Sequence, residues 1–114
     1  MQGPEFIPLA RAAAMAHERL FPDRPAKDSK LLDLLALALS DVVPLYQRDM
    51  ESGALRALDE AEIASGRFTR GATTLEYRNR PPLRFLVVSL SELGAALPKL
   101  AWPTPAARLR SGCG

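Results

Sequence analysis

Apolar residues recur at helical spacing through Leu9, Ala12, Ala13, Ala16 and Leu20, behind Pro8, whose fixed φ suits the first turn of a helix. The spacing predicts a helix over 8–20. Its buried stripe is mostly alanine, which admits a close neighbour but buries little area per residue, so a partner element has to hold it in place. The stretch "FPDRPAKD" ends it, and Asp28 or Ser29 then offers a short side-chain oxygen to cap a second helix through "KLLDLLALALSDVV". Leu31, Leu32, Leu34, Leu35, Leu37, Leu39, Val42 and Val43 cover nearly its whole circumference and leave Asp33, Ser40 and Asp41 as a polar strip. Such a helix is either the centre of the core or part of a subunit interface, and Pro44 kinks or ends it.

A short third helix is predicted over 54–64, "ALRALDEAEIA", with Gly66 as its C-terminal stop. From Gly66 the period changes to two. Thr73, Leu75 and Tyr77 alternate with Thr74, Glu76 and Arg78; beyond "NRPP", Leu83, Phe85 and Val87 alternate with Arg84, Leu86 and Val88. This predicts a hairpin, preceded by a short edge strand over 67–69. Pro81 and Pro82 cannot donate to a ladder and belong to the connection. The second strand is apolar on both faces apart from Arg84, which requires cover on both sides, from helices or from a partner.

Ser89 and Glu92 have the S-x-x-E spacing of a capping box, so a helix is expected from Leu90, with Leu90, Leu93, Leu97 and Leu100 as its apolar stripe and a kink near Gly94 caused by Pro98. The expected fold is α+β: a small single domain over 1–102, two N-terminal helices packed on a helix–β-hairpin–helix unit, and a C-terminal tail over 103–114 carrying Arg108 and Arg110. The candidate interface comprises Leu31, Leu35, Val42, Leu86, Val88 and Trp102.

Composition changes this picture little. The 114 residues are 47% hydrophobic and 25% charged, values of an ordinary globular domain with room for one core. The ten prolines sit near element ends. The net charge of +2 conceals an uneven distribution. Over 46–66 the acids Asp49, Glu51, Asp59, Glu60 and Glu62 outnumber Arg48 and Arg56, whereas over 67–84 five arginines face only Glu76. The single cysteine, Cys113, excludes an internal disulfide and any Cys/His metal spacing. With no signal-peptide pattern at the N-terminus and no apolar run of membrane-spanning length, no membrane role or secretion is expected.

No nucleophile with a base, no phosphate-cradling glycine loop and no metal set stands out, so no catalytic, cofactor-binding or metal site is expected. His17, beside Glu18 in the alanine-rich helix, reads as a surface residue, and Asp59, Glu60 and Glu62 as a solvated face. The remaining candidates are Arg67, Arg70, Arg78, Arg80 and Arg84. A hairpin would display them along its outer face, against the phosphates of DNA, or as a solvated edge that discourages aggregation.

The order helix, "SG", basic hairpin, capped helix resembles the W-type head-to-tail joining proteins of lambda-like tailed phages. The likeness lies in "LRALDEAEIASG", "TLEYRNRPP" and "LRFLVVSLSEL", roughly residues 54–101. It implies a non-enzymatic ring subunit, a homo-oligomer located in the virion or the host cytoplasm. Its protein partners would be the portal and neighbouring neck subunits, and the arginines would face a DNA channel or an acidic neighbour. The other reading is a small DNA-binding regulator, or a protein-binding accessory factor or inhibitor from a mobile element.

Overall fold

In the computed structural model, which describes residues 5–25 and 27–100, a short strand β1 (Phe6–Pro8) runs directly into helix α1 (Leu9–Leu20). Pro8 closes the first and precedes the second. Ala12, Ala13 and Ala16 are fully buried, and the small side chains let α1 pack closely along α2 (Ser29–Ser40). His17 falls on the same stripe, four residues after Ala13, and is 2% exposed against the ring of Phe21. The expectation of a surface histidine is therefore corrected: helical spacing puts it on the inward face.

Asp28 caps α2, its Oδ1 accepting from the backbone N–H groups of Lys30 (3.0 Å) and Leu31 (3.4 Å). The helix stops at Ser40, three residues short of the predicted end. The ring of Pro44 would crowd the carbonyl four residues back, which is that of Ser40. Leu35, Ala36 and Leu39 are buried in the core, while Leu34 and Leu37 are each 51% exposed. The helix is thus both a core element and the owner of an uncovered apolar face.

Strands β2 (Tyr46–Arg48) and β3 (Leu55–Ala57) form an antiparallel hairpin in the register Tyr46↔Ala57 and Arg48↔Leu55. This overturns half of the third predicted helix. Only α3 (Glu60–Ser65) is helical, because Asp59 and Glu62 form a complete capping box that fixes the start at Glu60 and frees the preceding residues to pair with β2. The helix ends beside Gly66 as expected, but with Gly66 extended rather than left-handed.

The predicted hairpin over 73–88 is reduced to one antiparallel bridge, in which Leu75 and Leu83 exchange backbone hydrogen bonds of 3.0 and 2.9 Å. Strand β5 (Thr74–Glu76) folds back on β4 (Arg67–Thr69) as a separate two-stranded sheet, because Arg70, Gly71 and Ala72 take φ of 57°, 69° and 70° and reverse the chain tightly. Residue 83 touches β5 only through the bridge Leu75↔Leu83. The chain then turns at Phe85 and becomes β6 (Leu86–Ser89), the second strand of an antiparallel sheet in the order β1-β6-β2-β3. All four β6 residues are buried, as expected of a strand covered on both faces, and the cover comes from within the chain.

Helix α4 (Leu90–Ala96) follows at once and tightens into a 3₁₀ turn (Leu97–Lys99) holding Pro98, so the expected kink at Gly94 is replaced by an earlier helix end. Ser89 Oγ accepts from the Glu92 N–H at 3.4 Å, but no reciprocal bond is made, and Glu92 Oε1 is buried without a partner among the described residues. The core runs through both sheets and three helices, with Leu9, Leu35, Leu39, Leu45, Leu75, Leu93 and Val88 sealed from solvent. The architecture is α+β, with the two N-terminal helices packed together. No helix among the described residues is long and apolar enough to cross a membrane. Trp102, Arg108, Arg110 and Cys113 lie outside the described residues.

Candidate functional site

The five candidate arginines do not act as one group. Arg80 is held internally: its Nη2 lies 3.6 Å from Glu62 Oε2, and its guanidinium stacks 4.0 Å from the ring centre of Tyr77, whose hydroxyl donates to the Glu62 carbonyl at 2.9 Å. Arg56 Nη1 donates to both carboxylate oxygens of Glu62 at 2.9 Å. The hydrogen bond from Arg56, above all, keeps the Glu62 carboxyl below the usual carboxylate range, and the same bond raises the pKa of Arg56. The carboxylates read as a solvated face thus include the clamp between β3, α3 and the loop before Pro81.

Arg67 and Arg78 are exposed and rim a shallow polar hollow beside Glu76 and Tyr77. Arg67 also borders a groove of about 600 Å³ between α2 and β4, lined by Lys30, Leu34, Leu37 and Phe68. Sequence reasoning named Leu31, Leu35, Val42, Leu86 and Val88 as interface. Leu35, Leu86 and Val88 fill the chain's own core, Leu31 is half-buried against it, and Val42 is 36% exposed. The burial of Leu86 and Val88 follows from β6 being the second strand of its sheet rather than a hairpin arm, and that of Leu35 from its place on the inward face of α2. Besides Val42, the large apolar residues that present surface among those described are Leu34, Leu37, Met50 (64% exposed) and Phe85 (51% exposed). A 3.6-residue count places Leu34 and Leu37 on one face of α2, but the leucine-rich context hid which face was outward.

Arg70 and Arg84 meet at a different groove, of about 480 Å³, where the β4–β5 turn and the approach to β6 face the start of α1 at Pro8 and Leu9. Arg70, Ala72 and Phe85, the three non-glycine residues with left-handed φ among those described, all line it. Such conformations are uncommon for side chains with a Cβ and persist only where neighbours hold them. The neighbours are identifiable. Asp33 Oδ1 accepts from the Ala72 N–H at 2.7 Å, the Arg48 N–H donates to the Phe85 carbonyl at 3.1 Å, and Gln47 Nε2 donates to the Arg84 carbonyl at 3.3 Å. No acidic side chain lines the groove, and neither Arg70 nor Arg84 forms an ion pair among the described residues. Positive charge, an exposed ring and a fixed backbone therefore converge, a combination able to hold an anionic, flat-faced ligand. Phe85 had no signal in the sequence, where it read as one more alternating strand residue.

Comparison of the chain with protein-family models, with curated proteins and with solved structures gives no match. Among the described residues no group of three or more His, Cys, Asp or Glu side chains is placed to hold a metal ion.

Proposed function

We propose that the protein is a non-enzymatic assembly subunit that associates head to tail with further copies of itself. The observation that supports this is the uncovered face of α2: Leu34 and Leu37, one turn apart, stand half in water and open a groove with Phe68, rimmed by Lys30 and Arg67 and by Asp33, whose carboxylate is engaged by the Ala72 N–H. Covering the two leucines recovers hydrophobic free energy that the monomer forgoes.

The chain carries a surface of matching character on another element. In the β2–β3 turn, Met50 projects at 64% exposure between Asp49 and Glu51. Asp49 holds that turn in shape, its carboxylate accepting from the Glu51 N–H at 2.9 Å and the Ser52 hydroxyl at 3.1 Å. A flexible thioether flanked by acids fits an apolar groove rimmed by a lysine and an arginine. Because the two surfaces differ, each copy offers one and receives the other, and such a contact closes into a ring when the rotation permits. A ring subunit is what the resemblance to phage connectors implies, with a portal as the further protein partner; the reading rests instead on the surfaces, since the 73–88 hairpin behind the resemblance is reduced to the single bridge Leu75↔Leu83.

Charge exchange tests it. Lys30→Glu and Glu51→Lys should each weaken self-association, and a mixture of the two variants, or the double variant, should restore it. Equal association of all four proteins contradicts the proposed pairing.

A further inference from the structure

We infer that the groove between Arg70, Arg84 and Phe85 binds single-stranded nucleic acid, with a base stacked on Phe85 and the flanking phosphates on the two arginines. The site is separate from the groove on α2, although Phe85 also borders the hollow of Asp49 and Met50 at the β2–β3 turn. Three features on one surface carry the inference: two arginines without carboxylate partners among the described residues, an aromatic side chain 51% exposed beside one of them, and a lining free of acidic groups.

The chemistry favours an unpaired strand over other anionic partners. Guanidinium groups meet phosphate oxygens with parallel N–H donors, and every base offers a flat face to an aromatic ring whatever the sequence. A duplex hides those faces inside its stack and would leave Phe85 in water. An extended acidic peptide would draw its affinity from a free strand edge. At this groove Leu86 is paired with Gln47 of β2, β1 ends at the Pro8↔Val87 pair, and Pro8 itself has no N–H to offer a further strand. A volume of about 480 Å³ lies in the range of pockets that enclose small ligands and suits a single nucleotide unit.

The strain gives the same site a reason to be rigid. Phe85 at φ 58° is held through its carbonyl by Arg48, and Ala72 at φ 70° through its N–H by Asp33. The backbone that carries the ring and the arginine-bearing turn is thereby fixed before any strand arrives, which lowers the entropy lost on binding.

The test is fluorescence anisotropy of a short labelled oligothymidylate, titrated with the full chain at several salt concentrations, and repeated in the Leu37→Glu variant so that self-association does not enter. Binding should weaken with salt. Arg84→Gln or Arg70→Gln should each reduce the log–log salt slope by about 0.7, one phosphate contact on a single strand. Phe85→Gly should lower affinity about 5- to 150-fold, the range for removing one stacked base. Glycine is at ease at φ 58°, so this variant keeps its fold, as its melting curve will show, and Phe85→Tyr should bind like the parent. No binding at low salt, unchanged affinity in Phe85→Gly, equal affinity for duplex of the same length, or tighter binding of polyglutamate would each overturn the inference. Loss of assembly in Leu37→Glu with binding intact supports it.

Discussion

Asp33 Oδ1 accepts the backbone N–H of Ala72 at 2.7 Å, joining two residues 39 positions apart. The bond ties the α2 turn that carries Leu34 and Leu37 to the corner of the basic groove, and so fixes the two surfaces relative to each other. Ala72 is fully buried, and its N–H has no water to turn to when the carboxylate is removed. Asp33→Ala should therefore destabilise the chain by about 1–3 kcal/mol in urea unfolding and weaken oligonucleotide binding as well. Asp33→Asn, which keeps an acceptor oxygen, should lose less of both. An unchanged urea midpoint in Asp33→Ala would show that the corner holds itself.

Gly66 and Gly94 should respond to alanine with opposite signs. A Cβ at Gly66 would lie 2.8 Å from Cδ1 of the sealed Leu75 and 3.0 Å from the Glu76 carbonyl oxygen. Neither has room to retreat, so Gly66→Ala should cost about 1–3 kcal/mol through overpacking, although its backbone is extended and open to any residue. Nothing lies within 4 Å of a Cβ at Gly94, inside α4. Gly94→Ala should stabilise by about 0.5–1 kcal/mol through helix propensity. Thermal unfolding of the two variants beside the parent checks both signs together.

Glu62 makes one part of the stability depend on pH. Its pKa in the folded chain is below the ordinary value of 4.5, first because Arg56 donates to its carboxylate. A depressed carboxyl contributes stability that is fully present above the unfolded value and is lost as pH falls through the folded one. Glu62→Gln should thus be less stable than the parent at neutral pH, with the difference narrowing below about pH 4.5 and vanishing in stronger acid. Glutamine keeps the capping geometry with Asp59, which isolates the charge. A difference that stays constant from neutral pH into acid would assign the effect to packing instead.

Local rules predicted the parts of the fold that depend on local chemistry. Asp28 caps α2, the alanine stripe of α1 packs on a neighbour, the 67–69 strand exists, and β6 is covered on both faces. The errors arise where two patterns compete. Leu55–Ala57 has helix-forming residues, yet the Asp59 and Glu62 box starts the helix after it and pairing with β2 takes the rest. The 73–88 hairpin was inferred from alternation alone; whether β5 pairs forward or backward was decided by left-handed φ at Arg70 and Ala72, residue types that carry no such signal. Of the candidate site, Arg70 and Arg84 were legible as charges. Phe85 was not, because its exposure comes from a backbone reversal, and neither were the ties of Arg80 to Glu62 and Tyr77, partners that are reached only in the fold.

The native mass of the purified chain at moderate salt, measured by sedimentation equilibrium beside Leu37→Glu, tests the assembly account most directly. The account predicts a closed oligomer for the parent and a folded monomer for Leu37→Glu, since a carboxylate in the α2 groove removes apolar contact and faces Asp49 and Glu51 of the incoming turn. A parent that remains monomeric at every concentration, or a variant that assembles as the parent does, would contradict it.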